Sequence, residues 1–136
     1  MHLERTNYSS GAPLEAKAGY SRVVKVGPFV YVGGTTAVQA DGTVYGKNDG
    51  YAQAKFVFEK MLKCMAEAGA NASEVVKVKL YTTDMSRAAE YAKAYTEIFK
   101  AIKPLFTMVG IAALNRPSQL VEIEIDAIIG CTQKLQ

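Results

Sequence analysis

Three carboxylates spaced two residues apart are the strongest acid–base candidates in this 136-residue chain. They are Glu122, Glu124 and Asp126. They alternate with apolar residues in the run Leu120–Ile129, and a period of two is typical of a strand with one covered face. Carboxylates aligned on one strand face repel one another unless that face meets water, cations or a polar cleft. We therefore expect one wall of a site here, with Glu122 as the catalytic candidate; the alternative is a row of solvated strand carboxylates.

Further candidates come from the first third of the chain. The strand-like run Tyr20–Val26 places Tyr20 and Arg22 on one face, where they offer a hydroxyl and a cation to a ligand. The same residues are also ordinary at a subunit boundary or in a surface salt bridge. Gly33 and Gly34 follow an apolar run, and their missing side chains either let a ligand approach the backbone or mark a β-bulge.

Metal and thiol chemistry are not expected. The two cysteines, Cys64 and Cys131, have no motif spacing, and the one histidine, His2, lies near the N-terminus. A thiol without a histidine to activate it is a poor nucleophile. We expect no metal, no cofactor and a reducing, cytoplasmic setting.

Composition predicts a single domain over residues 1–136. Hydrophobic residues make up 49% and charged residues 21%, close to globular averages. The net charge is +3, and the basic residues are scattered, so a nucleic-acid surface is not expected. The N-terminus does not fit a signal peptide, and no apolar run reaches the roughly 18 residues of a membrane span.

The elements that must position these residues follow from periodicity and turn residues. Strands are predicted at Leu3–Tyr8, Tyr20–Val26, Phe29–Val32, Val75–Tyr81, Leu105–Ala113 and Leu120–Ile129, a loop at Ser9–Pro13, and helices at Asn48–Ala68 and roughly Ser86–Ala101. This order favours an α+β fold, a mixed sheet with both helices on one face. The other face would stay partly apolar, which predicts a homo-oligomer.

Several strings, taken in order and spacing, resemble the RidA/YjgF (Rid) family of small trimeric proteins. The strings, between about Gly19 and Gly130, are GYSRVVKVGPFVYVGGTTA, AQAKFVFEKMLKCMAEAGA, VVKVKLYTTDM, AYTEIF and LVEIEIDAI. The resemblance implies a chorismate-mutase-like subunit and a barrel-like homotrimer with a ligand cleft at each subunit boundary.

Characterised members of that family hydrolyse reactive enamines and imines to ketoacids and ammonia without a cofactor. The resemblance gives Glu122 the position of the carboxylate that binds or activates water, and Tyr20, Gly33 and Gly34 positions in the cleft. The family arginine that pairs with the substrate carboxylate corresponds to Phe106, counting from Pro104. A phenyl ring cannot make that pair, so the chain resembles a branch that lacks the arginine. We expect Phe106, Thr107 and Met108 to line an altered substrate site.

Two functional hypotheses follow. The first is a Rid-like hydrolase of altered specificity, in which Glu122 orients water. The second is a non-catalytic trimer that binds a small apolar or uncharged metabolite. RNA binding or cleavage, proposed for relatives, is not expected, because the chain has no basic stripe.

Overall fold

The strands predicted from the sequence form one six-stranded sheet in the computed structural model, which describes residues 1–136. They are β1 (Arg5–Tyr8), β2 (Val23–Val26), β3 (Phe29–Thr35), β4 (Val75–Thr82), β5 (Leu105–Gly110) and β6 (Val121–Ile128). Their order across the sheet is β1-β2-β3-β6-β4-β5, with β4 and β5 parallel and the other neighbours antiparallel. The predicted mixed sheet of an α+β fold is confirmed.

Two long helices and one short helix accompany the sheet: α1 (Pro13–Ala18), α2 (Gly50–Glu67) and α3 (Ala88–Phe99). The Asp49 carboxylate caps α2 by accepting a hydrogen bond from the Ala52 N–H at 3.0 Å. Gly69, at φ 92°, follows the end of α2, where a left-handed glycine stops a helix. The predicted second helix begins with a separate 3₁₀ turn, Met85–Arg87, and α3 ends before Ala101. None of these helices is long and apolar enough to cross a membrane.

The core lies between one sheet face and the helices α2 and α3. Alternate residues of β6 are buried there, namely Val121, Ile123, Ile125 and Ala127. Their helix partners include Phe58 and Met61 of α2 and Tyr91 and Phe99 of α3. The period-two pattern therefore placed every second residue of β6 correctly.

A short helix stands where the sequence predicted a loop over Ser9–Pro13. Pro13 occupies the first position of α1, where its fixed φ suits a helix and its missing N–H is no loss. Gly19 ends α1 in the left-handed region at φ 86°, donating its N–H to the Glu15 carbonyl. The loop prediction is wrong at Pro13, because proline can open a helix as well as a turn.

Strands β5 and β6 are consecutive in sequence but do not pair. β4 lies between them, so their connection, residues 111–120, passes the end of β4. Phe106 of β5 stands opposite Val78 on the helix side, whereas Glu122 of β6 stands opposite Tyr81 on the other side. One subunit therefore holds these two residues on opposite faces of the sheet.

The face away from the helices is called the open sheet face. It carries Phe29, Tyr31, Lys77, Lys79, Tyr81, Leu105, Glu122, Glu124 and Asp126. Lys77 stands opposite Asp126, and Lys79 stands opposite Glu124. These cations explain how β6 tolerates three aligned carboxylates.

Candidate functional site

An open cavity of about 1270 Å³ lies where α1, the start of β2 and the end of β3 meet α2 and the β5–β6 connection. It brings together four of the residues that the sequence analysis selected: Tyr20, Arg22, Gly34 and Glu122. Lys60 and Arg116 add two further cations to its wall. The space is large enough for a small metabolite.

Glu122 lies directly against the backbone of Gly34. A Cβ atom at Gly34 would stand 3.0 Å from the Glu122 Cδ and 3.1 Å from its Oε1. The register between β3 and β6 also shifts between Val32 and Thr35, which is a bulge. The register shift agrees with the bulge interpretation, and the group that lies against the Gly34 backbone is a carboxylate of the chain itself.

Burial raises the pKa of the half-buried Glu122 carboxyl, and the neighbouring charge of Glu124 raises it further. The Arg22 guanidinium opposes this shift without cancelling it. The carboxyl therefore holds its proton to a higher pH than a free glutamate. A group that binds and releases a proton closer to neutral pH is suited to acid–base work.

Arg22 uses its guanidinium to hold the chain around this carboxyl. Nη1 donates to the Gly34 carbonyl and, at 3.2 Å, to the Thr35 Oγ1. Nε donates to the Glu15 carboxylate at 3.4 Å. The guanidinium carbon also stands 5.8 Å from the centre of the Tyr20 ring. Arg22 thus positions the Gly34 backbone. Its Nη2 takes part in none of these hydrogen bonds.

Glu15 is a buried partner that the sequence analysis missed. Only 2% of it is exposed, and its carboxylate accepts hydrogen bonds from the Ser9 hydroxyl and from the Ser10 N–H and hydroxyl. Burial alone would raise its pKa, but these bonds and the charge of Arg22 outweigh burial and lower it. Pro13 and Gly19 bracket α1, and they are the sequence signal from which α1, and with it the position of Glu15, could have been predicted.

A buried glutamine holds the backbone at the start of β6, and no sequence pattern indicates this role. Gln53 of α2 accepts hydrogen bonds from the Leu120 N–H at 2.5 Å and the Val121 N–H at 3.3 Å, and donates to the Ser118 carbonyl at 3.1 Å. These bonds hold the backbone next to Glu122. Their donors and acceptors are 65 to 68 residues apart, so no local pattern reveals them.

The remaining predicted site residues lie outside this cavity. Gly33 is adjacent, donating its N–H to the Arg22 carbonyl at 2.9 Å. Phe106 stacks on Tyr95 of α3, with ring centres 3.9 Å apart and planes within 6°. Met108 is half-buried on the same helix side, and Thr107 is exposed on the open sheet face. The desolvation of Glu122 within one subunit thus does not come from the expected wall of Phe106 and Met108.

No three side chains among His, Cys, Asp and Glu converge where they could hold a metal ion. Both cysteines are free thiols. Burial raises the pKa of the Cys64 thiol, as does the charge of Glu67. Cys64 therefore stays protonated near neutral pH and is a poor nucleophile.

Comparisons with known proteins agree with this fold. Residues 10–129 match the family model described as Endoribonuclease L-PSP. A RutC family protein of Pyrococcus abyssi is 34% identical over 109 residues, which cover 80% of this chain and 84% of that protein. The mitochondrial protein MMF1 of Saccharomyces cerevisiae is 32% identical over 114 residues, covering 83% and 77% of the two chains.

Solved structures of related proteins have the same fold as this chain. A Mycobacterium tuberculosis member of the YjgF/YER057c/UK114 family superimposes with a TM-score of 0.83 at 37% identity, covering 93% of this chain and 100% of that one. Yeast Mmf1 superimposes with a TM-score of 0.79 at 30% identity, covering 92% and 98%. With its six-stranded mixed sheet and helix pair, the chain belongs to the Rid/YjgF family, the one that the Endoribonuclease L-PSP model describes.

Proposed function

We propose that this protein is a Rid-type hydrolase that converts a reactive imine or enamine of a small metabolite to a carbonyl product and ammonia. The observation that carries the proposal is the Glu122 carboxyl, half-buried in a cavity of metabolite size and with a raised pKa. Membership of the family supports small-molecule chemistry at this position.

Such a hydrolysis needs little more than a positioned water and a proton carrier. The imine carbon is already electrophilic, so water adds to it once a base takes a proton from the water. The nitrogen must then gain protons before it leaves as ammonia. Glu122 can donate a proton in its neutral form and accept one in its ionised form. The overall reaction consumes one water and involves no oxidation, so we propose that it needs no cofactor.

We further propose that the complete cleft lies between the subunits of a homotrimer. Within one subunit Phe106 and Glu122 are on opposite faces, so only a neighbouring chain can bring a β5 strand to the Glu122 cavity. β5 is an edge strand with Leu105 69% exposed, and an uncovered edge of this kind favours contact with another chain. Phe106 and Met108 of the neighbour would then form an apolar wall in place of a guanidinium, which supports altered specificity.

The alternative is a trimer that binds a small apolar or uncharged metabolite without chemistry. The apolar side chains of Leu14, Phe56 and Leu114 in the cavity wall favour it. Cleavage of RNA is not proposed, because Lys77 and Lys79 alternate with carboxylates and form no continuous basic stripe.

We also propose a cytoplasmic location, as expected from the unpaired cysteines. The relative MMF1 of Saccharomyces cerevisiae is named as mitochondrial. Fractionation of the source cells distinguishes the two locations.

The test is ammonia release from freshly generated imines, including 2-iminopropionate and arginine-derived imines, beside a family relative that has the arginine. We expect rates above background that fall by a factor of about 10²–10⁴ in Glu122→Gln, because a proton carrier has been removed. Asp126→Asn is the matched control, since Asp126 lies on the same strand face, is outside the cavity and is not among the causes of the raised pKa of Glu122. No acceleration of any imine by the folded wild-type protein would exclude the hydrolase and leave the binding protein.

A further inference from the structure

The guanidinium of Arg22 has one donor group that the fold leaves free. Its Nε donates to the Glu15 carboxylate at 3.4 Å, and its Nη1 donates to the Gly34 carbonyl and, at 3.2 Å, to the Thr35 Oγ1. Nη2 makes no hydrogen bond, and no side-chain nitrogen or oxygen that lacks a partner is buried in this structure. Nη2 therefore contacts solvent, although only 11% of the Arg22 side chain is exposed. Arg22 and the Tyr20 ring beside it both line the cavity, so Nη2 is a donor of the cavity wall.

Both edges of this guanidinium are already partly used. A carboxylate pairs best with two parallel N–H groups, which arginine offers from Nε with Nη2 or from Nη1 with Nη2. In Arg22, Nε is bonded to Glu15, and Nη1 is bonded to Gly34 and Thr35. A single nitrogen remains. It can donate to one carbonyl oxygen, but it cannot form the two-pronged pair that makes arginine the preferred residue for carboxylates.

Glu15 compensates the charge of Arg22. Besides the bond from Arg22, its carboxylate accepts hydrogen bonds from the Ser9 hydroxyl at 2.8 Å, from the Ser10 N–H at 2.9 Å and from the Ser10 hydroxyl. Donors directed at both oxygens fit the ionised form, which accepts hydrogen bonds and donates none. Burial would raise the pKa of Glu15, but these bonds outweigh burial and lower it. Arg22 and Glu15 thus form a buried neutral pair with one free donor.

The remaining charges of the cavity wall disfavour an anion at Nη2. They are two cations and two carboxylates, namely Lys60, Arg116, Asp41 and Glu122. They balance when Glu122 is ionised. Glu122 lies against Gly34, the same residue whose carbonyl bonds to Arg22, since a Cβ atom at Gly34 would stand 3.0 Å from the Glu122 Cδ. An anion at Nη2 and the Glu122 carboxylate would therefore repel each other across one residue, whereas a neutral acceptor would not be repelled.

We propose that Nη2 of Arg22 is the ligand-binding donor of this cavity, and that the ligand offers it a neutral carbonyl oxygen, as an amide or an ester does, and not a carboxylate. In a 2-imino amide or a 2-imino ester, this carbonyl is next to the electrophilic imine carbon. One small molecule then presents an acceptor to Arg22 and a reacting carbon on the side of Glu122. That the ligand is an imine rests on the proposed function, whereas the neutral acceptor rests on the bonds of Arg22.

The first test compares pyruvamide with pyruvate and needs no turnover. The two compounds have nearly the same size and shape, but at about pH 7 only pyruvate carries a charge. Each is titrated into the folded wild-type protein, and NMR follows the Arg22 Nε–H and the Gly34 N–H. We expect pyruvamide to shift both signals and to bind at least about tenfold more tightly than pyruvate, the factor that one well-placed hydrogen bond produces. Equal or tighter binding of pyruvate, or no shift of these signals by pyruvamide at high millimolar concentration, would overturn the proposal.

A variant of Glu15 tests the charge argument. Glu15→Gln keeps the length of the side chain but leaves Arg22 as an uncompensated cation. We expect the preference for pyruvamide over pyruvate to fall by a factor of about ten or more, because an anion is then attracted to Nη2. Glu59→Gln removes a carboxylate that is exposed on α2 and outside the cavity, so it should keep the wild-type preference. An unchanged preference in folded Glu15→Gln would contradict the proposal; if this variant fails to fold, the wild-type comparison decides the question.

Turnover distinguishes this proposal from the function on which it partly rests. We expect 2-iminopropanamide to release ammonia with a kcat/KM at least about tenfold higher than that of 2-iminopropionate, with most of the difference in KM, because the contact to Arg22 is a binding contact. Faster release from 2-iminopropionate would overturn the neutral acceptor and leave the hydrolase in place. A preference for pyruvamide with no ammonia release from any imine would support the Arg22 site and overturn the hydrolase.

Discussion

At the scale of single residues, two carboxyls around Arg22 have pKa shifts of opposite sign. Glu15 accepts hydrogen bonds from two serines and from Arg22, and these bonds favour its ionised form. Glu122 is acted on by burial and by Glu124, which favour its neutral form. One carboxylate therefore serves as a fixed negative charge, while the other can exchange a proton.

These shifts predict opposite effects of pH on stability. The pKa of Glu122 in the folded protein lies above its usual 4.5. The contribution of Glu122 to the free energy of unfolding is therefore complete below pH 4.5, and it is lost as the pH rises through the pKa of the folded state. The pKa of Glu15 lies below its usual 4.5, so its contribution is present above that value and is lost as the pH falls through the folded pKa.

Denaturant unfolding at about pH 4 and about pH 8 measures both effects. Glu122→Gln should gain stability relative to the wild type as the pH rises. Glu15→Gln should be less stable than the wild type by about 2 kcal/mol at the higher pH, the range for a lost hydrogen-bond network to a charged group, and the difference should shrink in acid. A pH-independent difference for Glu122→Gln would mean that this carboxyl is not desolvated.

At the scale of elements, the end of β3 determines how Glu122 is placed. A methyl group at Gly34 would stand 3.0–3.3 Å from the Glu122 side chain, so that side chain would have to move by a few tenths of an ångström. A Cβ atom at Gly33, one residue earlier, would meet the carbonyl oxygens of Arg22 and Ser21 at 3.5 Å and 3.7 Å, which are ordinary contact distances. Neither glycine has a positive φ, so backbone strain does not separate them.

We therefore predict that Gly34→Ala lowers Glu122-dependent ammonia release at least about tenfold, because the carboxyl must move by a few tenths of an ångström or more. Gly33→Ala should keep the activity and gain up to about 1 kcal/mol of stability, since glycine is unfavourable within a strand. Both variants are compared by imine turnover and by thermal unfolding. Equal activity in the two would show that the contact between Gly34 and Glu122 does not position the carboxyl.

At the scale of the whole molecule, the open sheet face gives the reason to expect assembly. It exposes the aromatic rings of Phe29 and Tyr31 together with Leu105. Its charges are of both signs, since Lys77 stands opposite Asp126 and Lys79 stands opposite Glu124. A neighbouring copy of the chain would cover these exposed apolar side chains and, as proposed above, complete the cavity.

Light scattering during size exclusion tests this expectation. We predict a wild-type mass of three times the 14.7 kDa chain. Tyr31→Asp should yield single chains, because a carboxylate buried in a subunit contact costs several kcal/mol. Tyr45→Asp is the matched control: Tyr45 is 44% exposed against 46% for Tyr31, but it packs on Phe56 of α2. A wild-type mass of one chain, or a trimer of Tyr31→Asp, would contradict the assembly through this face.

Local rules account for most of the elements and for part of the site. Period-two alternation placed the buried residues of β6, and helical periodicity bounded by turn residues placed α2. The same rules missed α1, because proline before a short polar segment is ambiguous between a turn and a first helical turn. With α1, the buried Glu15 and its bond to Arg22 were missed as well.

By itself, the sequence determined the order of the six strands and the two long helices, the buried face of β6, the family and the candidates Glu122, Tyr20, Arg22 and Gly34. Each of these follows from residue periodicity or from short motifs, which involve residues close together in the sequence. Only the tertiary structure decided that β4 lies between β5 and β6, that Phe106 packs on Tyr95, and that Glu15 bonds to Arg22. Contacts of this kind join residues far apart in the chain, and their geometry depends on how the whole sheet pairs and packs.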